Sequence, residues 1–313
     1  MTITQLQYVL AVAEHKNFTV AAEKCFVTQP TLSMQIQKIE DELNILIFDR
    51  SKKPIQLTDI GQKIVNQAKN IVNEADRMQD IVEQQKGFIG GEFRLGIIPT
   101  IMPTLLPMFL TNFIKKYPKV KLIIEELNTD EIILKLKNGH LDAAIAATPL
   151  MEEKLKEIVL YYEPFVAYIP ENFNKEKKTE IEVNDLNLDQ ILLLQDGHCF
   201  RDGILNLCKN QNTLTTNSFQ LESGSFETLI KLADEGLGMT LLPYLHTLTI
   251  NEKDSAKLVQ FKEPKPAREV SLIFPKTELK IQIIDALRNT IAGVVKGAIV
   301  FQNVQIISPI LKK

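Results

Sequence analysis

The run Phe26-Val27-Thr28-Gln29-Pro30-Thr31-Leu32-Ser33-Met34-Gln35-Ile36-Gln37-Lys38-Ile39-Glu40 decides the architecture of the N-terminal part of the chain. Pro30 suits the first turn of a helix, where its missing N–H costs nothing. Leu32, Ile36, Ile39 and Leu43 then fall on one face at three- and four-residue spacing, while Ser33 and Gln37 lie on the opposite one. Upstream, Leu6, Val9, Leu10 and Ala13 repeat at the helix period, and a second helix from near Asn17 carries Val20, Ala21, Ala22 and Lys24. Two short helices joined by a tight turn, the second opening on small polar residues, form the helix-turn-helix pattern. Cys25 lies at core spacing inside the second of these upstream helices and reads as packing.

Working outward, Phe48 to Thr58 contains Pro54 and the alternation Ile55/Leu57, which predicts a small hairpin. Arg50, Lys52 and Lys53 at its tip suit a wing gripping phosphate. Thr58-Asp59 opens a long helix in which Ile64, Ala68, Ile71, Ala75, Met78 and Val82 keep heptad spacing, a seam that pairing of two copies would bury. Gly87, Gly90 and Gly91 end it as a hinge. From Glu92 strand and helix patterns alternate: 93–98, 104–117, 120–125, 129–138 and 141–146, resuming over 191–243. That texture predicts an α/β domain with a largely parallel sheet. Lys175-Glu176-Lys177-Lys178 reads as a solvated loop, and the apolar tail Ala298–Leu311 is expected to pack on this domain or on a partner subunit.

The bulk properties narrow the classes. A chain of 313 residues is expected to form two or three units. A net charge of −3 excludes a generally basic coat but not a reader whose positive charge sits on one face. No apolar run reaches a membrane span, and Met1-Thr2-Ile3-Thr4-Gln5 lacks a signal-peptide pattern, so a cytoplasmic protein without membrane contact is expected. There is no Gly-rich phosphate loop, no metal-ligand cluster and no Ser-His-Asp arrangement. His15, His140, His198 and His246 are scattered, so no cofactor, no metal and no enzyme activity are expected. Three cysteines without a disulfide scaffold matter, if at all, as reactive thiols or ligands.

Ala21-Ala22-Glu23, Thr28-Gln29-Pro30-Thr31-Leu32-Ser33, Ile39-Glu40-Asp41-Glu42-Leu43, Phe48-Asp49-Arg50, Leu57-Thr58 and Gly61 together closely resemble the N-terminal signature of LysR-type regulators. Gly96-Ile97-Ile98-Pro99-Thr100 and Asp196-Gly197-His198-Cys199-Phe200-Arg201-Asp202, with Cys208 further on, resemble the peroxide-sensing OxyR branch of that family. The resemblance implies a winged helix-turn-helix domain (1–58), a linker and dimerisation helix with its hinge (59–91), and a two-lobed, periplasmic-binding-protein-like α/β effector domain (92–313). Lobe I would take about 92–162 plus 267–313, and lobe II about 163–266. It further implies promoter DNA as partner, hydrogen peroxide as signal, a dimer or tetramer, and contact with RNA polymerase. The stretch between Cys208 and the helix start at Ser225 is slightly longer than the family pattern.

A thiol attacks peroxide as its thiolate, which nearby cations favour. His198 and Arg201 flank Cys199 in sequence, and the resemblance makes Cys208 its resolving partner. If the segment between them is helical, nine residues at about 1.5 Å each span roughly 13.5 Å. A disulfide needs Cα atoms roughly 4.4–6.8 Å apart. Oxidation would then have to refold the segment. The alternative is a pair of buried structural cysteines. Thr100, after the first effector strand, and Thr129, opening the helix after the second, stand where ligands of open α/β sheets bind. Each would orient peroxide or, alternatively, cap a helix. His198 would donate a hydrogen bond or pack, and Arg268 matches a family arginine near the thiol. On the DNA side, Gln29, Pro30, Thr31, Ser33, Met34 and Gln37 would meet base edges, while Arg50, Lys52 and Lys53 would hold phosphates. Two competing readings remain: a small metabolite bound between the lobes with the cysteines incidental, and a thiol peroxidase built on Cys199.

Overall fold

The computed structural model describes residues 1–85, 89–174, 178–208, 223–299 and 303–310. Two compact units emerge, Met1–Phe88 and Ile89–Lys313. The first contains α1 (Ile3–His15), α2 (Phe18–Lys24), α3 (Gln29–Leu43), the short strands β1 (Phe48–Asp49) and β2 (Gln56–Leu57), and α4 (Asp59–Gln85). Helix starts follow local chemistry. Thr2 and Gln5 form a capping box on α1, Asn17 accepts from Thr19 and Val20 N–H, and Thr28 caps α3 with Pro30 in its first turn. Leu6, Val9, Val12, Ala21, Leu32, Ile36 and Ile39 share one core with Val65, Ala68 and Val72 of α4. Leu43, expected in that core, closes α3 with its side chain largely outside it. Cys25 caps the C-terminus of α2, half-buried against the core rather than inside the helix.

The long helix is therefore part of the first unit. Of the expected seam, Ile64, Ala68 and Ile71 already pack on this unit's core, and Met78 is 68% exposed. The Val82 side chain and Gly87 lie outside what the structure describes. Gly61 shows why glycine stands at the start of α4: a Cβ there would lie 2.0 Å from the Ile47 carbonyl oxygen.

The second unit runs β3 (Gly91–Ile97), α5 (Met102–Lys116), β4 (Val120–Glu126), α6 (Thr129–Lys137), β5 (Ala143–Thr148), β6 (Leu155–Tyr168), β7 (Glu180–Ile181), α7 (Cys199–Leu207), α8 (Phe226–Asp234), β8 (Thr240–Pro243), α9 (Tyr244–Thr247), β9 (Leu258–Phe261), β10 (Lys265–Pro275), α10 (Ile281–Val295) and β11 (Val304–Ile306). Residues 175–177 of the expected charged loop and the long stretch 209–222 lie outside the described residues. The strands form the order β4-β3-β5-β10-β6-β9-β7, with β8 on β6 and β11 on β10. The sheet is mixed, not largely parallel. β3 pairs in parallel with β4 and β5, but β10 inserts antiparallel between β5 and β6, and β6 is antiparallel to β8 and β9. Local alternation cannot reveal this, because β10 meets β5 across more than a hundred residues of chain.

β6 and β10 run through both lobes, and each lobe has its own core. Phe93, Leu95, Phe109, Phe113, Ile145, Tyr161 and Leu287 belong to the first; Phe165, Tyr168, Phe200, Phe226, Leu241 and Phe261 belong to the second. The end of the tail, residues 303–310, corrects the expected lobe assignment, while Ala298 and Ile299 pack on the first core. β11 pairs with β10 at Lys265–Ala267, Ile307 enters the second core, and Asn206 of α7 donates to the carbonyls of Ser308 (2.8 Å) and Ile310 (2.9 Å). This end joins lobe II because β11 lies along the end of β10 that faces this lobe.

Candidate functional site

α7 begins at Cys199, with His198 as N-cap, and Cys208 follows its last residue as C-cap. Both thiols are free and buried. Cys199 belongs to the first core and Cys208 to the second. The helix between them is continuous, so its ends are separated by roughly 13.5 Å at about 1.5 Å per residue.

Three elements converge on the Cys199 sulfur: Ala147 at the end of β5, Thr129 at the start of α6, and Arg268 on β10. Burial pushes this thiol up from its ordinary value; the Arg268 guanidinium, the Thr129 hydroxyl and the Ala147 N–H pull it down, while Asp202 adds to the rise. Thr129 Oγ1 is buried and has no partner of full hydrogen-bond geometry, so it offers the sulfur a short-range dipole. Neither threonine caps a helix. Asn128 is the N-cap of α6 and forms a capping box with Glu131; Ile101 precedes α5. Thr100 is instead tied to Arg268.

Arg268 is 2% exposed. Its Nε donates to Glu163 Oε2 at 2.9 Å, and its Nη2 lies 2.7 Å from the same oxygen. Its Nη1 donates to Thr100 Oγ1 at 2.9 Å and its Nη2 to the Thr100 carbonyl at 3.0 Å. The guanidinium also lies 5.3 Å from the centre of the Phe200 ring. Glu163, fully buried on β6, uses Oε1 to accept the Leu245 N–H at 2.9 Å.

Neither His198 nor Arg201, which flank Cys199 in sequence, is the cation acting on its sulfur. Burial lowers the His198 imidazole, against the opposing pull of Glu126, so the ring is neutral at pH 7. The Arg201 Nε pairs with Asp196 at 2.8 Å and its Nη1 donates to the Leu194 carbonyl at 3.2 Å. The cation acting on the sulfur comes from β10. Sequence reasoning missed Glu163 because nothing in Tyr161-Tyr162-Glu163-Pro164 distinguishes a buried ion-pair partner from an exposed strand residue.

On the helix-turn-helix, Gln29, Pro30, Met34 and Gln37 are exposed and Thr31 and Ser33 half-exposed. Gln37 Nε2 donates to Asp41 at 2.9 Å, and the Thr28 and Thr31 hydroxyls bond at 2.8 Å. Lys52 and Lys53 are exposed. Arg50 is partly committed elsewhere: it bonds Glu40 Oε2 at 2.7 Å and lies 5.2 Å from the Phe18 ring centre. Glu40, 1% exposed, also accepts the N–H groups of Ile47 and Phe48. Among the described residues no cluster could hold a metal ion, and no helix is long and apolar enough to cross a membrane.

A helix-turn-helix unit followed by a two-lobed α/β unit with a buried thiol site defines a class of DNA-binding regulator. Residues 3–62 match the model of the bacterial regulatory helix-turn-helix protein, lysR family, and residues 86–295 match the LysR substrate binding domain. The chain belongs to the LysR family of transcriptional regulators, in its OxyR branch. It is 32% identical over 297 residues to a hydrogen peroxide-inducible genes activator of Pectobacterium carotovorum subsp. carotovorum, covering 94% of this chain and 98% of that one. A full-length OxyR variant from Pseudomonas aeruginosa superposes with a TM-score of 0.75 at 33% identity, covering 93% of this chain and 98% of the other. An OxyR variant from Corynebacterium glutamicum, with hydrogen peroxide bound, gives 0.63 at 26% identity over 95% and 93% of the two chains. As a regulator of this family the chain binds DNA and is not an enzyme.

Proposed function

We propose that this regulator senses peroxide through Cys199 and stores the signal as a Cys199–Cys208 disulfide. The observation that supports this reading is two free thiols at opposite ends of one helix, each seated in a different lobe's core. The Cys199 sulfur attacks one oxygen of hydrogen peroxide and the O–O bond breaks. Sulfur is oxidised by two electrons to a sulfenic acid, and the second oxygen leaves as water with the thiol proton. The Cys208 thiol then displaces the sulfenic hydroxyl, which leaves as a second water. The helix length forbids this bond while α7 is intact, so the second step unwinds α7.

Thr100, Thr129, His198 and Arg268 form the peroxide pocket in this reading. The two hydroxyls orient the oxidant, the neutral imidazole offers one N–H, and Arg268 stabilises charge on sulfur. Gln29, Pro30, Thr31, Ser33, Met34 and Gln37 read bases. Arg50, held by Glu40, joins Lys52 and Lys53 at phosphates. Two copies pair through α4 and then into a tetramer acting on RNA polymerase in the cytoplasm. The peroxide bound to the Corynebacterium relative supports the choice of signal. The test is peptide mapping after stoichiometric peroxide, with promoter binding followed in parallel. Wild type should yield one Cys199–Cys208 bridge and altered DNA binding; Cys199→Ser should bind DNA without either change. A Cys199→Ser protein that responds normally sinks the proposal.

A further inference from the structure

The geometry assigns Glu163 as a positioning residue for the redox site: it fixes Arg268 and offsets part of its charge, and so sets how strongly the guanidinium stabilises the Cys199 thiolate. This rests on Cys199 being the reactive thiol.

Four observations carry it. Arg268 and Glu163 face each other across β10 and β6 as directly paired residues, and both side chains are at most 3% exposed. At that burial a field is screened little by water, so pairing governs what the sulfur experiences. Glu163 spends one oxygen on Arg268 and the other on the Leu245 N–H, so its carboxylate is immobilised from two sides. Arg268 also donates from Nη1 and Nη2 to Thr100, which would hold the guanidinium near its position if the carboxylate charge were removed. The other groups facing this site are Asp202 on α7, the anion that acts on the sulfur; Tyr161 on β6, which faces both members of the pair; and His246 on α9, which burial keeps neutral. Glu163 acts on the sulfur as the counter-charge bound to Arg268.

The experiment is the pH dependence of Cys199 alkylation by iodoacetamide in the full-length protein, read peptide by peptide. Glu163→Gln keeps the shape and removes the charge. Its midpoint should fall by about one pH unit, with alkylation at neutral pH about tenfold faster than in wild type. In an Arg268→Gln background, Glu163→Gln should change nothing, because a lone buried carboxyl takes up a proton and is already neutral. An unchanged or raised midpoint in Glu163→Gln, or an equal shift in the Arg268→Gln background, overturns the assignment. If Glu163→Gln does not fold, Glu163→Asp carries the test: a shorter carboxylate cannot reach both partners, so a partial fall is expected, and a wild-type midpoint overturns the assignment. Alkylation needs no peroxide. A protein that alkylates as expected yet forms no disulfide would sink the peroxide reading and leave this one standing.

Discussion

The two ends of α7 carry the same side chain in opposite settings. At the N-terminal end, Cys199 meets a cation, a hydroxyl and a backbone N–H from three separate elements, all opposing the rise that burial imposes. At the C-terminal end, burial is the influence that acts on Cys208 among the described residues, and it pushes the thiol up to about 11. Both thiols are raised by burial, but at Cys199 the fold brings groups from elsewhere in the chain that oppose the rise. In the proposed mechanism this asymmetry favours Cys199 over Cys208 as the thiol that ionises.

That comparison can be broken in four ways. The largest effect is expected for Phe200→Ala. Phe200 is 2% exposed and packs edge-on to Phe165 and Phe226 at 5.0 and 5.1 Å, anchoring the Cys199 end of the helix in the second core. Truncation should cost about 3–5 kcal/mol in urea unfolding; a loss below about 1 kcal/mol would mean that this end is not anchored. Next comes alkaline pH. The folded thiol of Cys208 ionises near 11 and the unfolded one near 9.0. The fold therefore favours the neutral form. That advantage is complete below pH 9.0 and falls between pH 9.0 and about 11, by about 2–3 kcal/mol in total. Cys208→Ala should remove that slope, and an identical slope in the variant would refute the inert setting.

Asn206→Ala, which removes both bonds to the tail, should cost about 1–2 kcal/mol and speed amide exchange over 303–310. Unchanged exchange would show that α7 does not hold the tail. The smallest effect belongs to Thr129→Val. It keeps the shape but removes the hydroxyl beside Cys199, so the alkylation midpoint should rise by less than about one unit with stability changed by under about 1 kcal/mol. A lowered midpoint would show that the hydroxyl does not favour the thiolate.

The helix-turn-helix was legible because its determinants are local: Pro30 and the period of Leu32, Ile36 and Ile39 fix α3 within a dozen residues. The strands and helices of the second unit were legible for the same reason. Their pairing was not, since β10 reaches β5 and β6 only through contacts distant in sequence. At the site, Cys199, Cys208, Thr100 and Arg268 could be chosen from residue type and resemblance. Their electrostatics could not. His198 and Arg201 are neighbours of Cys199 along the chain, yet one is neutral and the other pairs with Asp196.

By itself the sequence determined where helices begin, which faces are apolar, and that two thiols stand nine positions apart, because these follow from local dihedral preference and spacing. Only the tertiary structure decided that Arg268 rather than a neighbouring residue acts on the sulfur, that Glu163 holds Arg268, and that the end of the tail joins the second lobe. Charge and burial act through space, and distance along the chain does not predict distance across a sheet.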